Sequence, residues 1–213
     1  SYDDSVRRLS QESGRGGLVD IDRWWRTDLP AAICSRKPDP YLTKAELVKI
    51  VQWKLWMGVV RPNLLRFATE TSPEKVKTKS REAFRHLPKL SVPSGSDSPP
   101  ETVARVTSTA LKKAVTALTS ELKGVGPATA SAILSAVCGG CPFDADEVID
   151  AVMMNGERKY SLGEYLKVQE TLDGKAGRLR SPWDAERVRK ALWSRAMHSR
   201  FDLSISAPLS DTT

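Results

Sequence analysis

The chain has 213 residues, 40% of them hydrophobic and 28% charged, enough for one sizeable domain or two small subdomains sharing a core. No apolar run approaches the roughly 20 residues that a bilayer-spanning helix needs, and the polar start SYDDSVRRLSQESGRGG lacks the apolar stretch of a secretory signal, so no membrane partner is expected. Thirty-three Lys and Arg against 26 Asp and Glu leave a formal charge of +7, which favours a polyanionic partner without identifying it.

Residues 1–18, rich in Ser, Gly and charge, are expected to be a flexible tail. Residues 19–88 follow as an N-terminal helical subdomain, which begins with DIDRWWRTDLP, a short segment whose tryptophans pin it to the body. TKAELVKIVQWKLWMG predicts a helix: Thr43 and Glu46 have capping-box spacing, and Leu47, Ile50, Val51 and Leu55 share one face before Gly58. PNLLRFA and SPEKVKTKSREAFRHL are two more helices, each opened by a proline suited to the first turn. The run from Pro88 to Pro100 holds four prolines and four serines, so residues 89–100 are expected as a disordered linker.

A second subdomain is expected over 101–205, with 206–213 as a tail and one compact domain overall. Its helices are ETVARVTSTALKKAVTALTSEL, PATASAIL, DADEVIDAVMM, SLGEYLKVQETL and SPWDAERVRKALWSRAMHS. With no strand or hairpin pattern anywhere, the class is all-α, with about eight helices. Between Lys175 and Arg200 eight basic residues face only Asp184 and Glu186, a net of +6. Arg187 and Lys190 are candidate phosphate contacts there; a solvated basic face is the alternative.

Cys34, Cys138 and Cys141 are an odd number, suited to a reducing compartment. The CGGC at 138–141 has no second pair or nearby His to complete a zinc site, and a loop with two small glycines explains it.

The stretch from 121 to 134, ELKGVGPATASAIL, carries the most chemistry. Gly124 and Gly126 allow a tight turn and leave backbone N–H groups uncovered at the start of the next helix. That end has unsatisfied donors and partial positive charge, a natural seat for phosphate. Thr129 can add a hydroxyl and Lys123 a charge. LKGVGPATA resembles the hairpin of helix-hairpin-helix DNA-binding proteins, which grips the backbone of one strand without reading bases. The resemblance implies duplex DNA as partner, bound through Lys123, Gly124, Val125, Gly126 and Thr129. It also implies a monovalent cation, Na⁺ or K⁺, on the carbonyls of Ser120, Leu122 and Val125, with no other cofactor required. A nuclear or other reducing, DNA-containing compartment and a monomer are the matching expectations.

From Leu118 to Val148 the chain also resembles the DNA glycosylases built on this hairpin. Counted without a gap, their aspartate falls on Asp146, which would stabilise positive charge on deoxyribose as the N-glycosidic bond breaks. Asp144 is the alternative match, and with Glu147 it also has the spacing of an ordinary capping box. The lysine that bifunctional members place two residues after the second glycine is Ala128 here, so the chain lacks the usual lyase nucleophile and only a monofunctional mechanism is open to it. QWKLWMGVVRPNL resembles a divergent eukaryotic group that pairs such a stretch with this hairpin. Trp53, Lys54, Trp56 and Arg61 could line a pocket for a flipped base, or serve as core. A non-catalytic DNA-binding module or scaffold with the same hairpin is the rival reading, and a protein-interaction domain a third.

Overall fold

A computed structural model describes residues 1–88, 90, 105–154 and 157–206. Among these residues there is no strand, and none of the helices is long and apolar enough to cross a membrane. The helices are α1 (Tyr2–Glu12), α2 (Leu18–Arg26), α3 (Asp28–Ser35), α4 (Lys44–Met57), α5 (Pro62–Glu70), α6 (Pro73–Arg85), α7 (Ser108–Thr119), α8 (Pro127–Leu134), α9 (Asp146–Met153), α10 (Leu162–Leu179) and α11 (Ala185–Ser206).

The count exceeds the expected eight because three helices, α1 to α3, occupy the first 35 residues. The segment expected as a tail is a capped helix. The Ser1 side chain accepts from the Asp4 N–H, and the Asp4 carboxylate takes the Ser1 hydroxyl at 2.7 Å. Its apolar positions, Val6 and Leu9, are buried, and α1 packs against α2 and α11. Polar composition concealed this, since two apolar residues three apart suffice to dock so short an amphipathic helix. Asp22, fully buried on α2, then ties the N-terminal helices together. It accepts from Tyr2 Oη at 2.9 Å, Trp53 Nε1 at 3.0 Å and Arg26 Nε at 2.8 Å, so its desolvated charge is fully partnered.

The two halves of the chain share one core, with α6 on α7 and α4 on α8. Trp25 stacks on Trp53 at 3.9 Å, Phe143 tilts against Trp53 at 4.9 Å, and Trp25 Nε1 donates to the Ala132 carbonyl of α8 at 3.0 Å. The expected box at Thr43 and Glu46 is formed. α7 begins later than expected, at Ser108, because Thr107 caps it by accepting the Ala110 N–H; residues 101–104 lie outside the described residues. So do the expected linker, Leu90 aside, and residues 207–213 of the expected C-terminal tail. The cap expected at Asp144 is not made. Ala145 is the N-cap of α9, with no side-chain bond.

Candidate functional site

The turn between α7 and α8 needs its first glycine for two separate reasons. Gly124 has φ +79°, and a Cβ there would stand 2.7 Å from the Phe67 ring of α5. That ring also carries Lys123 Nζ, 4.6 Å from its centroid. Gly126 differs. Its φ of −92° suits any residue, and a Cβ would meet nothing within 4 Å. Its missing side chain therefore leaves space on the outer side rather than serving the packing.

The Gly126 carbonyl accepts from Thr129 N–H at 3.0 Å and Ala130 N–H at 2.9 Å, which closes the first turn of α8. The N–H groups of Gly126 and Ala128 bond to no other described residue, and Pro127 has none. Two donors thus face outward at the positive end of a helix. For the implied cation, the Leu122 carbonyl already accepts Val125 N–H at 3.0 Å, leaving one lone pair to share with the carbonyls of Ser120 and Val125. Backbone oxygens suit a hard, weakly held cation, and among the described residues no cluster of three His, Cys, Asp or Glu offers a different metal site.

This turn forms one wall of a cavity of about 480 Å³. The end of α4 and the segment after it, from Lys54 to Arg61, form a second wall; the loop 143–147 and Tyr160 complete it. Its volume falls in the ~300–1,000 Å³ range of small-molecule sites. Lys54, Arg61, Lys123, Gly124, Val125, Gly126, Thr129, Asp144 and Asp146 all line it, so residues from three distant parts of the sequence meet in one place.

The two aspartates are in contrasting states. Asp146 is bound by Arg158 at 3.2 Å and by the Tyr160 hydroxyl at 3.1 Å. Asp144 is 2% exposed, and among the described residues neither of its carboxylate oxygens has a hydrogen-bond partner; its backbone N–H is held by Ser131 Oγ at 2.9 Å. Burial, then the nearby charges of Glu164 and Asp146, push its pKa up to about 7, with Lys54 pulling the other way. Glu164 itself is satisfied, accepting the N–H groups of Lys159 and Tyr160 at 2.9 Å each. Lys54 pairs with no described carboxylate. Burial, then the Arg61 charge, lower its pKa, and Asp146 and Asp144 oppose that shift. Arg61 lies over the Tyr160 ring at 4.9 Å.

The remaining candidates fall elsewhere. Trp53 is fully buried in the core, and Trp56 lies against Gly17, with its carbonyl accepting from Arg15. Neither tryptophan lines the cavity. Arg187 donates to the Pro182 carbonyl at 2.7 Å in the segment before α11, and Lys190 sits over the Tyr2 ring of α1 at 5.5 Å, so both are engaged within the protein. Arg189 is completely buried and paired with Glu186. The basic run is therefore partly internal structure. Cys138 and Cys141 are buried and reduced, with Cys141 N–H donating to the Cys138 carbonyl at 3.0 Å. The Gly139 carbonyl accepts from Glu186 N–H at 3.0 Å, so the CGGC loop seats the start of α11.

Sequence reasoning did not find Tyr160, whose position depends on a φ of +49° and a hydroxyl bond to Asp146 across 14 residues. No family model matches this chain, and neither a curated protein nor a solved structure matches it.

Proposed function

We propose that this chain binds duplex DNA through the phosphate backbone of one strand and acts on an unstacked nucleotide as an N-glycosylase. The outward N–H groups of Gly126 and Ala128 would take a phosphate, with Lys123 beside them. A nucleotide turned out of the stack would enter the cavity and bring its deoxyribose towards Asp144. There the carboxylate, once ionised, would stabilise positive charge on the sugar as the bond to the base breaks, and would orient the attacking water.

One observation carries the reading: an unpartnered carboxylate, 2% exposed, shares a cavity with a helix end whose donors are free. A buried carboxylate without partners costs stability, and such strain concentrates at sites of chemistry. Asp144 is therefore preferred to Asp146, whose two partners account for its position structurally. A nuclear or other DNA-containing compartment and a cation on the hairpin carbonyls belong to the same reading.

The test is release of free base from a panel of duplexes carrying damaged and modified bases, for the parent and for Asp144→Asn. Removing one preorganised charge should lower the rate about a hundredfold, with DNA affinity kept. No release by the parent from any duplex, with binding intact, would leave the non-catalytic DNA-binding module as the better account.

A further inference from the structure

We infer that Lys54 and Arg61 select the base that this cavity accepts, one with ring carbonyl oxygens rather than exocyclic amino groups. Bases of the uracil and hypoxanthine type fit, and those of the cytosine and adenine type do not. This rests on the DNA reading above, and only on its claim that an unstacked nucleotide is bound. The charges of the cavity are segregated. Lys54, in the last turn of α4, and Arg61, at the exposed rim, stand on one wall; Asp144, Asp146 and Glu147 stand on the wall formed by 143–147. Among the described residues no ion pair joins the two walls. Asp146 is held by Arg158 and Tyr160, and Arg61 lies over the Tyr160 ring instead of meeting a carboxylate. A cavity that keeps its cations and its carboxylates apart is arranged for a guest that lies between them.

Donor and acceptor chemistry then sets the class of guest. A lysine ammonium offers three donors and an arginine guanidinium five, and neither can accept. Met57, Gly58, Val59 and Leu64, which share their wall, bring no charge and no strong hydrogen-bonding side chain. The polar side chains of that wall are therefore donors only. With the deoxyribose towards Asp144, the base extends away from the carboxylates and meets those donors. A carbonyl oxygen there accepts from Lys54 or Arg61, as guanine O6 does from either residue type in a duplex groove. An amino group at the same place sets donor against donor, and the half-buried Lys54 loses water without gaining a bond. A positively charged alkylated base is disfavoured as well, since charge then faces like charge. At about 480 Å³ the cavity has room for a one-ring or a two-ring base, so this wall and not size makes the choice.

The full chain is to be titrated with fluorescent duplexes that carry one test nucleotide opposite an abasic site, so that pairing does not hold it in the stack. The test bases are uracil against cytosine and hypoxanthine against adenine, each pair differing chiefly by an oxygen in place of an amino group. All are 2′-fluoro nucleotides, whose glycosidic bond resists cleavage, so the readout is affinity and needs no catalysis. The expected result is binding about tenfold tighter or more for uracil over cytosine and for hypoxanthine over adenine. Lys54→Gln replaces the ammonium with an amide that can also accept, and should bring both ratios close to one. Arg61→Gln, at the exposed rim where folding is not at risk, should narrow them in part. A fully paired duplex should bind both variants as it binds the parent. Equal affinities in the parent, or the reverse order, overturn the inference and leave the DNA reading standing. So do ratios that survive both substitutions, or a loss shared equally by every duplex, which would make these side chains phosphate contacts. If the parent binds none of the duplexes, the inference and the DNA reading are both overturned.

Discussion

Asp144→Asn should stabilise the protein, and by an amount that depends on pH. The side chain's pKa moves from 3.8 when exposed to about 7 in the folded protein, a rise of about three units. Each unit is about 1.4 kcal/mol, so the folded state carries a penalty of up to about 4 kcal/mol once the carboxylate is fully ionised. Between the two pKa values the folded state holds a proton that the unfolded state has released, so stability falls as pH rises from about 4 to about 7. Below about 4 both states are protonated and the penalty vanishes; above about 7 it is complete. Asparagine is neutral throughout and nearly the same size. Urea unfolding of parent and variant at pH 4.5, 6 and 8 should therefore show the variant ahead by about 1 kcal/mol at the lowest value, widening to about 4 kcal/mol at the highest. A gap independent of pH, or a variant less stable at pH 8, would refute the assignment of an unpartnered carboxylate.

The same proton sets the rate. Because the ionised form is the stabilising one, single-turnover base release should rise about tenfold per unit below pH 7 and level off above it, measured with DNA saturating. A Gly124→Ala variant should lose roughly 1–3 kcal/mol in thermal unfolding, since its positive φ and the Phe67 contact both resist a Cβ; unchanged stability would remove the structural argument for that turn. Lys123→Ala should reduce the slope of log affinity against log salt by about one, whereas Arg187→Ala, already bound to the Pro182 carbonyl, should leave it unchanged. A reduced slope for Arg187→Ala would return α11 to the DNA surface.

What the sequence disclosed and what it concealed follow from the range of each interaction. The box at Thr43 and Glu46, the proline at the start of α8 and the left-handed Gly124 are local, and each is readable from neighbours within four residues. α1 was hidden because its stability depends on Asp22 and α11, which its own composition does not reveal. Trp53 and Lys54 are adjacent in sequence but about 100° apart around a helix, and the cavity divides them: one enters the core and the other the site. For Asp144 and Asp146, spacing placed both near the hairpin. Only the partners, Arg158 and Tyr160 for one and none among the described residues for the other, distinguish them, and Arg158 lies 12 residues from the side chain that it binds.

The central claim is that backbone donors at Gly126 and Ala128 receive a DNA phosphate, and Gly126→Val tests it most directly. Its φ of −92° accepts valine, and a Cβ there meets no protein atom within 4 Å, so folding is spared while the approach to the donors is filled. The measurement is equilibrium binding of a fluorescent duplex by parent and variant over a salt series, with circular dichroism on both. The account predicts a parent affinity that falls linearly in a log–log plot against salt, and a folded variant whose affinity is weaker at every salt concentration. A folded Gly126→Val protein that binds the duplex as tightly as the parent would contradict it.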